Sequence, residues 1–203
     1  MKKVAIIDYG VGNLLSLKRS LDYLKINSQV TSSKKIIENS SHLILPGVGA
    51  FSSAMKLLKD SKLDNVIKDF ASEEKPLLGI CLGMQLLFEN SYEFGFWDGL
   101  GIIPGTVKKI NIKKENIPFV GWYKLRVMKN KNNLLEKFDK KYLYHVHSYE
   151  CVPKNKENII GNYQVNKNSI TCAVKKNNVL GFQFHPEKSS YTGINILEDF
   201  CKL

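Results

Sequence analysis

The 203-residue sequence holds only four cysteines, Cys81, Cys151, Cys172 and Cys201, and no C-x-x-C pair among them. Without closely spaced ligands a zinc site is not indicated. No apolar run approaches the roughly 20 residues that span a bilayer. After Met1-Lys2-Lys3 the apolar stretch is just Val4-Ala5-Ile6-Ile7, ended by Asp8 and too short for a secretory signal. The expectation is a cytoplasmic protein with reduced thiols and no membrane association. Low-complexity segments, linkers and repeats are also missing, which points to one domain over 1–203. Acidic residues are the minority, 19 against 30 basic ones, for a net charge of +11. The basic residues are spread along the chain. Their densest stretches, 108–114 and 137–141, lack interleaved aromatics for base stacking, so a nucleic-acid partner is not expected.

What the chain does have is alternation. Val4-Ala5-Ile6-Ile7 reads as a buried strand, and Leu14, Leu17, Leu21 and Leu24 follow at helical spacing. Strands are expected at 29–31, 42–45 and 76–80, and helices at 50–58, 63–71 and about 84–89. Strand and helix in turn predict a mostly parallel sheet covered by helices on both faces. After Gly99 the pattern becomes β-rich, with strands expected at 107–112, 122–128, 142–147, 159–164, 169–175 and 179–184. A last helix over about 191–201 carries Ile194, Leu197 and Cys201 on one stripe. The fold class is therefore α/β, with a mixed central sheet and a β-rich antiparallel extension in the second half.

Gly79-Ile80-Cys81-Leu82-Gly83-Met84-Gln85 follows an apolar strand and opens a helix. This is the pattern of a nucleophile elbow, with cysteine in the central position. The flanking glycines leave room for a sharp turn that strains the residue between them. A sulfur there sits among free helix N–H groups, and the N–H of Leu82 points where an oxyanion would form. A cysteine between strand and helix also fits a purely apolar packing role.

A nucleophile needs a base and a group to hold that base. His185 lies in Gly181-Phe182-Gln183-Phe184-His185-Pro186-Glu187, where Pro186 ends the strand. Glu187, two residues on, can accept from Nδ1 and set the tautomer, as the acid of a triad does. Each residue alone also reads as an ordinary strand-end histidine or a surface carboxylate. His42, which enters a buried strand, reads as structural.

Together, the cysteine segment and Phe184-His185-Pro186-Glu187 resemble the two signatures of the class I glutamine amidotransferases. Asp8-Tyr9-Gly10-Val11-Gly12-Asn13, Pro46-Gly47-Val48-Gly49-Ala50-Phe51, His147-Ser148-Tyr149 and Gln183 to Ser189 are similar to the glutaminase subunits of imidazole glycerol phosphate synthases. The resemblance runs from Lys3 to the C-terminus. It implies a Cys81–His185–Glu187 triad that hydrolyses glutamine through a thioester, with no cofactor and no metal. It implies a second oxyanion donor from Gly47-Val48-Gly49 beside Leu82, and substrate contacts from Gln85, His147, Ser148 and Tyr149. It also implies a heterodimer with a (β/α)8-barrel cyclase that uses the ammonia in histidine biosynthesis.

Some positions depart from that pattern. The family's Pro-His-Met-Gly-Trp-Asn reads Pro118-Phe119-Val120-Gly121-Trp122-Tyr123, which marks Phe119, Trp122 and Tyr123 as partner-facing candidates. Core packing is the other reading of these aromatics. Two alternatives follow: a paralogous glutaminase serving amidination of a surface-polysaccharide sugar, and a stand-alone γ-glutamyl or peptidase-like cysteine hydrolase.

Overall fold

The computed structural model describes residues 2–112, 115, 117–128 and 133–203. In chain order the elements are β1 (Val4–Ile7), α1 (Leu14–Tyr23), β2 (Ser28–Thr31), α2 (Lys34–Glu38), β3 (His42–Gly47), α3 (Phe51–Asp60) and α4 (Leu63–Ser72). Next come β4 (Leu77–Cys81), α5 (Leu82–Leu86), β5 (Phe88–Ser91), β6 (Trp97–Asp98), β7 (Ile103–Lys109), β8 (Phe119–Lys124) and β9 (Arg126–Val127). The chain closes with β10 (Tyr142–His147), β11 (Tyr149–Pro153), β12 (Ile159–Val165), β13 (Asn168–Lys176), β14 (Val179–Phe182) and α6 (Ser190–Lys202). Of the basic stretch 108–114, Lys113 and Lys114 lie outside the described residues.

The main sheet has eight strands in the order β2-β1-β3-β4-β14-β13-β12-β9. Pairing is parallel from β2 through β14 and antiparallel from β14 to β9. Every residue of β1, β3 and β4 is buried, as near-continuous apolar strands of a covered parallel sheet must be. Period-2 alternation divides their side chains between two layers. Val4, Ile6, Ile44, Leu78 and Ile80 pack with α1 and α6 through Leu17, Leu21, Ile196, Leu197 and Phe200. Ala5, Ile7, Leu43, Leu45 and Leu77 pack with α3 and α4 through Phe51, Met55, Leu58, Ile67 and Phe70. The expected α1 stripe is present, with Leu17 and Leu21 fully inside. In α6 the stripe is rotated, so that Ile196 and Phe200 are buried and Ile194 only half so.

The second half is less uniformly antiparallel than its composition suggests. A four-stranded sheet runs β11-β7-β5-β6, and its β5–β7 pair is parallel. A two-stranded antiparallel ribbon joins β8 to β10.

The elbow helix is also shorter than expected. It stops at Leu86, and the residues read as its last turn open β5 instead. The carbonyls of Leu86, Leu87, Phe88 and Glu89 accept from the backbone of residues 99–103 rather than from a further helical turn. Leu86, Leu87 and Phe88 are buried on every side, so periodicity carries no information there. Helix α2 and strands β5 and β6 are short elements that the sequence pattern does not resolve.

Among the glycines, the tightest surroundings are at Gly83. A Cβ built there would fall 1.8 Å from the Leu45 carbonyl oxygen, which fixes α5 directly against β3. Gly83→Ala is expected to cost about 3 kcal/mol or more, since backbone rather than a pliable side chain must move. Gly101→Ala, at a left-handed φ of +69° with nothing within 4 Å, should cost only about 1 kcal/mol. Urea unfolding of the two variants checks the difference.

Candidate active site

Strand order brings the expected site residues together. β4 lies between β3 and β14, and all three run parallel. Gly47 at the end of β3 pairs with Cys81 at the end of β4, and Phe182 of β14 pairs with Ile80. The Gly47-Val48-Gly49 loop, Cys81 and the His185 segment thus leave the same carboxyl edge of the sheet, where open α/β sheets place their ligand crevices.

Cys81 adopts φ 54°, ψ −113°, a conformation costly for any residue with a Cβ. The turn is held by packing: a Cβ at Gly79 would meet the Gly83 carbonyl oxygen at 2.7 Å. α5 begins at Leu82 and is only five residues long, so the local charge field comes from its first free N–H groups rather than from a long helix dipole. Cys81 lines a cleft of about 400 Å³. Val48, Gly49, Leu82, Gln85, His147, Ser148, Tyr149 and His185 line the same cleft, so most of the substrate-contact set expected from sequence converges there. Gly47 is not among the residues lining this cleft; a Cβ built on it would fall 2.7 Å from the Tyr9 hydroxyl and 2.9 Å from the Gly83 N.

His185 is 3% exposed. Its Nδ1 lies 2.8 Å from Glu187 Oε1, which assigns the proton to Nδ1 in the neutral ring. Nε2 is buried and, among the described residues, makes no close hydrogen bond, so it is the nitrogen left to interact with Cys81. Burial pulls the imidazole pKa down, but interactions with Cys81 and Glu187 outweigh it and raise the value to about 10. The histidine segment is pinned from outside. The His185 N–H donates to the Tyr144 carbonyl, and the Ser189 hydroxyl donates to the His185 carbonyl at 2.7 Å while accepting from the Tyr144 N–H.

Two other histidines stand nearby with the opposite tendency. Burial, reinforced by His147 and His185, holds His145 well below the usual imidazole range. His147 is lowered to about 4 by burial, against the opposing effect of the Tyr149 carbonyl. Both His147 nitrogens are occupied: Nδ1 donates to the Tyr149 carbonyl at 2.7 Å, and Nε2 accepts from the Tyr163 hydroxyl at 2.9 Å. The ring of His147 therefore shapes the segment, leaving Ser148, Tyr149 and the backbone to face the cleft. His42 is buried at the far end of β3 against Phe200, in keeping with a structural role.

The three aromatic candidates separate by strand alternation. Trp122 faces outward, half exposed, beside Val120. Phe119 is 3% exposed and packs against Tyr163, and the Tyr123 ring lies 4.6 Å from that of Tyr163. Phe119 therefore packs inside, Tyr123 is partly buried with its ring against Tyr163, and Trp122 is the most exposed of the three.

The structure adds residues that sequence patterns did not single out. The Tyr9 hydroxyl donates to the Pro46 carbonyl at 2.9 Å and so anchors the start of the Gly47-Val48-Gly49 loop. Glu93 accepts from the Phe51 N–H at the start of α3, where no residue of the helix itself provides a cap. Gln183 reaches both Gln85 and Cys81. Tyr9 and Gln183 stand inside motifs that were visible, but nothing in their spacing shows which way they point.

Residues 5–203 match the family described as Glutamine amidotransferase class-I. The chain is 41% identical over 197 residues to imidazole glycerol phosphate synthase subunit HisH of Oceanobacillus iheyensis, covering 97% of both chains. It is 40% identical to the HisH subunit of Wolinella succinogenes, over 98% of this chain and 99% of that one. Among solved structures, PurLQS from Thermotoga maritima matches with a TM-score of 0.75 at 19% identity, over 99% of this chain and 98% of that one. A structure described as glutamine amidotransferase gives 0.75 at 18%, over 98% and 99%. These last two show the fold. The chain belongs to the class I glutamine amidotransferase family, alongside the HisH subunits of imidazole glycerol phosphate synthase.

Proposed function

We propose that the chain hydrolyses glutamine to glutamate and ammonia, and that a (β/α)8-barrel cyclase subunit of an imidazole glycerol phosphate synthase receives the ammonia. The observation that carries this reading is that a strained Cys81 and His185 line one cleft, with His185 Nδ1 held from behind by Glu187. The thiol proton passes to His185 Nε2, which the raised imidazole pKa favours, and Cys81 Sγ then attacks the carboxamide carbon as a thiolate. The tetrahedral oxyanion is met by the Leu82 N–H and by a donor from the Gly47-Val48-Gly49 loop. His185 returns the proton to the leaving nitrogen, giving ammonia and a γ-glutamyl thioester. Water, deprotonated by His185, then releases glutamate. No cofactor or metal enters these steps. Glu187 fixes the tautomer and stabilises the imidazolium.

The partner is supported by the names of the relatives and by the outer face of the β8–β10 ribbon. Val120, Trp122, Tyr142 and Val146 are exposed there, and Val146 also lines the cleft. Phe119 packs in the interior, so that departure from the family pattern gives no reason to prefer a sugar-amidating partner. The site draws on residues from β1 to β14, which supports reading 1–203 as one glutaminase domain.

Cys81→Ala is expected to reduce glutamate release to background with the thermal midpoint unchanged. Retention of wild-type turnover would remove Cys81 as the nucleophile. Glu187→Gln should lower kcat by about 10²- to 10⁴-fold, through loss of tautomer control and charge. The same change should lower the His185 pKa from about 10, because one of the interactions that raises it is gone. Nitrogen-15 NMR titration reads that shift. The sign for stability follows. Folded His185 holds its proton above the ordinary value of 6.5, so its contribution is complete below about pH 6.5 and is lost as pH rises to about 10. Glu187→Gln should flatten that decline. A histidine-requiring strain lacking its own glutaminase subunit should grow when this chain is supplied; no growth with a soluble, active chain would point to a different acceptor.

A further inference from the structure

Gln183 follows β14 and is completely buried. Its backbone N–H donates to the Cys172 carbonyl at 2.8 Å, which completes its duty to the sheet. Its carboxamide goes elsewhere. Nε2 donates toward Cys81 Sγ at 3.7 Å, and Oε1 accepts from Gln85 Nε2 at 3.1 Å. A buried amide is costly without partners, and here both partners are cleft residues rather than strand or turn backbone.

The polarity of this chain of groups is set by the sulfur. An amide can present either end by a half-turn. A thiolate accepts hydrogen bonds and has none to give, so only the –NH₂ end of Gln183 can face it. Gln183 Oε1 must then face Gln85, and Gln85 must answer with its own –NH₂. The end of Gln85 left for the cleft is its carbonyl oxygen, and Gln85 lines that cleft. A protonated thiol could also donate to the Val146 carbonyl, 3.9 Å away, but a thiolate cannot.

We propose that Gln183 is a positioning residue for both halves of the site. Its N–H steadies the Cys81 thiolate. Its carbonyl orients Gln85 so that the cleft offers an acceptor to an N–H donor of the substrate, an ammonium or a carboxamide. An acceptor at that point disfavours a carboxylate in the same place. This inference rests on the glutaminase reading above and assigns a substrate-selecting polarity to the same site.

Two substitutions separate the halves. Gln183→Glu keeps an acceptor for Gln85 but has no N–H for the sulfur. Gln183→Met removes both. The pH dependence of Cys81 alkylation by iodoacetamide, followed by peptide mass spectrometry, reads the sulfur without any glutamine turnover. The alkylation rate at neutral pH should fall about tenfold in both variants. KM for glutamine should stay within about twofold of wild type in Gln183→Glu and rise about tenfold in Gln183→Met, the loss expected for one oriented hydrogen bond. Thermal unfolding verifies the fold, and Gln183→Met carries the test alone if a buried carboxylate is not tolerated. An unchanged alkylation profile in Gln183→Met overturns the role toward sulfur, and an unchanged KM overturns the role toward Gln85. Absence of glutamine turnover in the wild-type protein would instead overturn the glutaminase reading, while alkylation would still test the Gln183–Cys81 contact.

Discussion

The parallel pairing of β4 with β14 is the constraint on which the site depends. It sets Leu77 to Ile80 in register with Val179 to Phe182, so that the residues just beyond each strand emerge side by side. On its other flank β4 pairs with β3 and ends opposite Gly47. Three segments far apart in sequence are thereby delivered to one edge with no freedom to slide, because all three strands are buried on both faces. Strain at Cys81 persists because the surrounding backbone leaves no alternative. α5 is pressed onto β3 at Gly83, and Gly79 faces the carbonyl of the same turn.

The charge pattern follows from who has partners. His145, His147 and His185 are all buried, and desolvation lowers each of them. Only His185 has an acidic partner, Glu187, and a neighbouring sulfur, and these reverse the effect. His147 is spent on the Tyr149 carbonyl and the Tyr163 hydroxyl, and works as a strut beneath the cleft. Three chemically identical rings are thus given different tasks by their hydrogen bonds. That division is electrostatic in origin and invisible in the spacing of histidines along the chain.

Much of the fold was legible from the sequence. The apolar runs at Val4–Ile7 and Leu77–Cys81 and the stripe through Leu17 and Leu21 are strong periodic signals, and they fall where expected. The errors sit where tertiary contacts override period. Leu86, Leu87 and Phe88 look like helix because they are apolar, yet their carbonyls belong to the chain at 99–103. Phe119 looks like interface because it replaces a polar family residue, yet β8 alternation buries it against Tyr163. The elbow and the His–x–Glu spacing were readable because turn chemistry is local. The roles of Tyr9 and Gln183 were not, since both depend on where a side chain points across strands.

The central claim is that Cys81 alone is the nucleophile toward glutamine. The most direct test is labelling with a glutamine analogue carrying an electrophilic diazoketone in place of the carboxamide, read by mass spectrometry of peptides from the folded protein. The account predicts one covalent adduct, on Cys81, with its formation slowed by free glutamine. Cys151, Cys172 and Cys201, all buried, should stay unmodified. A stable adduct on any of those three, or none on Cys81 in the folded protein, would contradict it.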